Sequence, residues 1–421
     1  MARLRMTVRR WRLGFGPHGS AARPSAATAP RRAFAVLLVT AFVDMVGLLI
    51  VVPLLPFYAM RFGASGAEIG LLVSAYAIAQ LVSAPFWGRV SDRWGRRPAL
   101  LAGLTASAAA YVVFAQAHSW PMLLVARLVQ GAGGGTAGVL QAYVADTTPP
   151  QRRAQALGWV SAVTSAGVMV GPVLGSWLAG VDPALPGWAA AALCLTNAAF
   201  AWRFLPEAHP GDGEGRPGAV GQALRALLRE PTALPARLVA IYALGMMASM
   251  GTNAVLALLL ARRFGVTEAT IGYVFLYTGA LSVVARAGLL GPLLRALGEG
   301  RLARLGLLTL AAGLAAMPWA DRWPSLLAAL TLVPLGSALT FPCVTALLSQ
   351  RVPPRQRGVY LGLQHTFGGL ARVLGPAGAG WAWDGLGPAA PYLAAAALSL
   401  LALALARPLP AAAAEANLPA P

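Results

Sequence analysis

The chain has 421 residues, of which 57% are hydrophobic and only 11% charged, with a mean hydropathy of +0.64. A water-soluble domain carries about 25% charged residues, and one soluble core of this length could not hide so much apolar surface, so the solvent is lipid. The net charge of +19 comes from 33 basic residues, all of them arginine, and their placement argues against nucleic acid as a partner.

Residues 1–32 hold eight arginines and no acid, and read as a disordered, arginine-rich cytoplasmic tail. No apolar segment with a small-residue cleavage site follows, so the tail does not read as a signal peptide. Apolar spans then come at roughly 33–58, 67–87, 98–117, 120–145, 154–180 and 186–205, an N-terminal six-helix bundle over 33–205. Each is near the ~20 residues a helix needs to cross the hydrocarbon core. Residues 206–237 form a cytoplasmic linker, opening on Pro210, Gly211, Gly213, Gly215, Pro217 and Gly218. Its stretch from Val220 to Leu228 fits a short amphipathic surface helix. Spans resume at roughly 238–261, 268–290, 302–319, 323–349, 358–382 and 388–406, a C-terminal bundle over 238–406 with a tail at 407–421. Between spans, only Arg61, Arg262, Arg263 and Arg322 face one side, and the great majority of arginines face the other. That asymmetry predicts a multi-pass protein of the cell membrane with both termini cytoplasmic.

The halves repeat one another. Gly88-Arg-Val-Ser-Asp92-Arg93-Trp-Gly95-Arg96-Arg97 is echoed at Gly291-Pro-Leu-Leu-Arg295-Ala-Leu-Gly298, with Gly88 matching Gly291 at an offset of 203. Pro149-Pro150 and Gly171-Pro172 match Pro353-Pro354 and Gly375-Pro376, both at 204. Twelve transmembrane helices in two pseudo-symmetric six-helix bundles are the expected all-α architecture, and duplicated bundles of this kind are typical of secondary transporters. Cys194 and Cys343 lie far apart in apolar spans and give neither a disulfide framework nor metal spacing.

Asp44 is the residue that chemistry singles out. It lies about 11 residues, or ~16 Å, into the first span, near mid-bilayer. The other acids fall in loops, tails or span ends. A charged Asp at the centre of a lipid-facing helix costs about 2.5–3.5 kcal/mol on the lenient insertion scale, so Asp44 is expected to face a cavity and serve a proton or substrate, the alternative being a structural Asp that caps a helix break near Gly47. Arg127 lies ~10 Å into its span from the opposite side, while Asp44 lies ~14 Å below Pro53 or ~21 Å below the far end of its span, and only the shallower figure makes a direct ion pair easy, with Gln130 one turn deeper. Gly88, Asp92, Arg93, Gly95, Arg96 and Arg97 read either as a solvated topogenic loop or as a conformational latch in which Asp92 meets Arg or a helix N-terminus. Gly167, Gly171 and Gly175 recur every four residues with Pro172 beside them, a stripe for close helix packing, either ordinary or at a seam between the halves. Gln80, Gln141, Asn253, Gln364 and His365 are polar within spans, and Phe275, Tyr277 and Phe341 could stack on a substrate. No catalytic constellation, metal site or cofactor motif stands out, so an enzyme is not expected.

With these residues in view, the chain resembles the major facilitator superfamily, and within it the twelve-helix drug:proton antiporters that include tetracycline-efflux and multidrug-efflux proteins. Gly88–Arg97 looks like the superfamily signature between its second and third helices. Asp44-Met-Val-Gly47 through Pro53 and Pro56 looks like the exporters' first-helix motif, and Arg127-Leu-Val-Gln130-Gly131 like their fourth. Gly158, Gly167, Gly171, Pro172 and Gly175 look like the motif associated with antiporters. The resemblance implies proton-driven efflux of a small hydrophobic or amphiphilic compound such as a drug, by a monomer in the lipid bilayer, with antibiotic resistance as a possible outcome. Asp44, Arg127 and Gln130 would couple protons, and the Asp92 loop would favour closure on the cytoplasmic side. A metabolite uniporter or proton symporter on the same fold is the alternative. Ser282, Leu310 and Ala109 stand where tetracycline exporters carry polar or acidic intramembrane residues, which makes tetracycline itself a poor candidate.

Overall fold

The computed structural model describes residues 29–134, 137–148, 152–207, 219–353, 356–407 and 409. The expectations for residues 1–28, for the turn formers at 210–218, for most of the C-terminal tail and for parts of the two Pro-Pro loops lie outside them.

Regular structure among the described residues is wholly helical. The first crossing is α1 (Ala29–Val51) and the short α2 (Leu55–Arg61), separated at Pro53, which has no amide to donate to the helical ladder. The second is α3 (Gly66–Trp94). Its start is fixed by a capping box in which Ser65 Oγ accepts from the Glu68 amide (3.2 Å) and the Glu68 carboxylate accepts from the Ser65 amide (2.8 Å). Then come α4 (Arg96–Ala115), α5 (Trp120–Gly134) with α6 (Ala137–Thr147), α7 (Arg153–Ala179) and α8 (Leu185–Phe204). A surface helix, α9 (Ala219–Arg229), buries Ala223 and Leu227, one turn apart, against the second half. The second half is α10 (Leu234–Phe264), α11 (Ile271–Val284), α12 (Leu290–Ala316), α13 (Trp323–Arg351), α14 (Arg357–Leu386) and α15 (Ala390–Leu405).

Eight stretches are long and apolar enough to cross a membrane by length and composition alone. One of them, Ile271–Trp319, is folded back on itself at Gly298 and makes two crossings. Helix α8 carries Pro186, Gly187, Thr196 and Asn197, and α14 carries Gln364, His365, Arg372 and many glycines, which lower their mean hydropathy, and α15 has 16 residues. Counting these, the chain makes twelve crossings, six in each half.

The duplication is visible in the backbone. Gly95 turns the chain between α3 and α4 at φ 101°, ψ 162°, and Gly298, 203 residues later, makes the equivalent turn at φ 72°, ψ 164°. Positive φ costs glycine least, which is why the turn falls on it in both halves. Packing repeats too: α1 lies along α7 in the first half as α10 lies along α14 in the second.

Candidate functional site

The halves meet along two seams, α3 with α14 and α7 with α11. In the first seam a Cβ on Gly70 would stand 2.3 Å from the Pro376 carbonyl oxygen, and one on Gly380 2.2 Å from that of Gly66. Ser74 Oγ donates to the Val373 carbonyl at 2.6 Å. At its end, the Asp384 carboxylate accepts from the amides of Gly66 (2.9 Å) and Ala67 (2.8 Å), the free donors at the start of α3. In the second seam the Gly272 amide donates to Ser176 Oγ at 2.7 Å. A Cβ on Gly272 would press on the Pro172 carbonyl, and one on Gly180 on Ala269. Arg61 forms an ion pair with Glu268 across the same end.

Toward the arginine-rich end the seams part. Side chains at Gly88, Gly158, Gly288, Gly291 and Gly362 would meet nothing within 4 Å. The molecule is thus closed on one face and open on the arginine-rich face. The gap is a cavity of about 650 Å³, reached by Gln80, Gln141, His365, Thr366, Arg372 and the buried Arg96. Such a volume suits a small molecule.

The polar group of the first half lies outside the lining of this cavity, so Asp44 does not face it as expected. Arg127, 3% exposed, donates to Gln130 Oε1, and its guanidinium stacks 4.6 Å from the ring centre of Tyr76. Gln130 Nε2 donates to the Tyr111 hydroxyl at 2.5 Å. Asp44, partly buried on α1, makes neither hydrogen bond nor ion pair with a described residue. Tyr76, Tyr111 and Cys194 are close enough to feel its charge. The expected Asp44–Arg127 pair is therefore not formed in this state: the arene of Tyr76 and the amide of Gln130 occupy the guanidinium instead. Sequence reasoning missed both tyrosines, because a tyrosine in an apolar span carries no signal beyond hydrophobicity.

The charged loop is organised around Arg96. Its guanidinium donates to Asp92 (2.7 Å), Ser91 Oγ (2.8 Å) and Asp146 (2.9 Å), all within the first half. Arg97 donates through its amide to Glu207 and through its side chain to the Trp202 carbonyl, while Arg93 is exposed. Asp92 faces Arg96 rather than the second half here.

The glycine stripe needs a correction. Gly167, Gly171 and Gly175 pack against α1, at Met45, Leu49 and the Ile50 carbonyl, so they do not form the seam between halves. The seam uses the next stripe around α7, at Met169, Pro172, Ser176 and Gly180. Spacing alone could not separate two stripes of the same period. Gly158 stands apart from both.

Of the cavity candidates, Gln80, Gln141 and His365 reach the open cavity. Gln364 is buried and accepts from Thr345 (3.3 Å), and Phe341 packs edge-on to Tyr242. Phe275 packs on the first core, and Asn253 is exposed outside the cavity. Tyr277 lines a separate apolar groove of about 420 Å³ near the closed face, with Phe264, Tyr273 and Trp323.

Comparison with known proteins places this architecture. The Major Facilitator Superfamily model matches residues 37–320 and 238–421. The chain belongs to that superfamily. It is 31% identical over 341 residues to the class G tetracycline resistance protein of Vibrio anguillarum, covering 80% of this chain and 86% of the relative. It is 28% identical to multidrug resistance protein 2 of Bacillus subtilis (strain 168), covering 83% and 88%. The crystal structure of the human organic anion transporter MFSD10 (TETRAN) superposes with a TM-score of 0.65 at 25% identity, over 90% of this chain and 99% of that one. The chain is accordingly a multi-pass membrane transporter of the superfamily, acting on small molecules.

Proposed function

We propose that the chain exports a small amphiphilic compound from the cell in exchange for protons, as a monomer in the cell membrane with both termini cytoplasmic. The observation that supports this reading is Asp44, a carboxylate near Tyr76 and Tyr111 with no ion-pair partner among the described residues. An unpaired ionisable group at membrane depth is costly and is kept where its charge is used. Relatives of similar length named for tetracycline and multidrug resistance support export as the direction of transport.

In this account the open face loads substrate from the cytoplasm. Closure of that face brings the Gly88–Arg97 loop toward the second half, where Asp92 gains a partner outside its own bundle. A proton taken up by Asp44 must alter the relative energy of the two states, since otherwise the gradient has no hold on the cycle. The test is export of a fluorescent amphiphile from a pump-deficient host. Asp44→Asn is expected to lose pumping against a gradient by at least about tenfold, while passive exchange persists. Equal pumping by both proteins removes Asp44 from the mechanism.

A further inference from the structure

The cavity is lined by a charged group that the reading above does not use. Arg372 lies on α14, one residue before the Val373 carbonyl that Ser74 grips, where the α3–α14 seam gives way to open space. A Cβ on Gly369 would lie 3.9 Å from its guanidinium. Arg96, the other arginine lining the cavity, is neutralised by Asp92 and Asp146. No described carboxylate pairs with Arg372. The groups around it are the amides of Gln80 and Gln141, the Thr366 hydroxyl and the His365 imidazole, and none of these is an acid. Among the described residues, the cavity therefore presents one uncompensated, partly buried cation.

From this we infer that Arg372 is a specificity-determining residue that binds an acidic group on the substrate. A guanidinium offers a planar fork of donors matched to a carboxylate or a sulfonate, and such pairs are stronger than neutral hydrogen bonds. Burial strengthens the preference, because a ligand without an acid leaves the cation both dehydrated and unpaired.

The exchange mechanism proposed above narrows the substrate further, and this step rests on it. A purely anionic ligand is repelled by ionised Asp44, so it and a proton would favour each other and travel together. Exchange requires the ligand to disfavour the proton, and a positive centre directed toward Asp44 does so. A zwitterionic amphiphile, with its acid at Arg372 and a cationic centre that disfavours the proton on Asp44, meets both requirements.

Rhodamine B and its ethyl ester test this directly, since they share a cationic ring system and differ by the free carboxylate. Binding to the purified full chain is read by fluorescence anisotropy, and transport by dye flux in proteoliposomes. The parent is expected to prefer the free acid. Arg372→Gln should lower the acid-to-ester affinity ratio about tenfold, and Arg372→Lys, which keeps the charge but loses the fork, should fall between. Binding of neither dye, no preference for the acid, or an equal loss of both dyes in Arg372→Gln would overturn the assignment. Proton release on ester transport reports separately on the exchange reading. Coupled ester flux without acid preference rejects Arg372 alone, and acid preference without proton coupling rejects exchange alone.

Discussion

The two faces of the transporter are built from the same residue types and hold opposite states. On the closed face, glycines at 66, 70, 272 and 380 bring backbones into contact, and polar groups of one half satisfy free amides of the other. On the arginine-rich face, glycines at 88, 158, 288, 291 and 362 look into open space, and the charged loop satisfies itself within its own half. Small residues permit contact at either end. What decides which end closes is where the polar partners are spent. Asp384 capping α3 and Ser176 capping Gly272 hold one end, while Asp92 is occupied by Arg96 at the other.

Breaking the cluster that keeps the open face self-contained carries the largest expected effect. Arg96→Ala removes a buried guanidinium together with its bonds to Ser91, Asp92 and Asp146, and a hydrogen bond to a charged group contributes about 1.5–3 kcal/mol. A fall in thermal stability of the purified protein, larger than for Arg93→Ala at the exposed neighbour, is the expected reading. Next comes Gly70→Val, whose Cβ would lie 2.3 Å from the Pro376 carbonyl oxygen. Overpacking of this kind costs about 1–3 kcal/mol and here must separate α3 from α14. A membrane-impermeant thiol reagent applied to that face should then label a Ser74→Cys variant that the parent background protects. Gly88→Ala at the open end should leave that protection intact.

Removing the inter-half cap is a milder change. Asp384→Ala loses two charge-assisted bonds to a helix N-terminus, worth about 1–2 kcal/mol, and should raise Ser74→Cys labelling about five- to thirtyfold. The smallest effect belongs to Arg61→Gln. The Arg61–Glu268 pair is substantially exposed, and such pairs contribute about 0–1 kcal/mol, screened further by salt. Labelling should change less than threefold, and a larger change would make that ion pair a principal lock.

Much of the fold was legible because hydropathy and a repeat offset are written directly in the chain. The shared turn at Gly95 and Gly298 sits where the echoed loops placed it. Partners were far less legible. The period of Gly167, Gly171 and Gly175 announces close packing, but nothing in the period names α1 as the neighbour. Asp146 and Asp384 read as acids at span ends, and only tertiary structure brings them to Arg96 and to the start of α3. Arg372 passed unremarked because an arginine in a span is conspicuous only once its lack of a counter-ion is seen. Arg127 was found by motif and depth, yet its stacking on Tyr76 depends on how α3 and α5 cross.

The account rests on proton exchange at a lone carboxylate, and a single flux measurement addresses it. In proteoliposomes preloaded with rhodamine B ethyl ester and a pH-sensitive dye, an inward proton gradient should drive dye out while the lumen acidifies beyond the passive leak. Asp44→Asn should abolish both responses to the gradient. Dye efflux from the parent with no accompanying proton entry, or undiminished coupling in Asp44→Asn, would contradict the account.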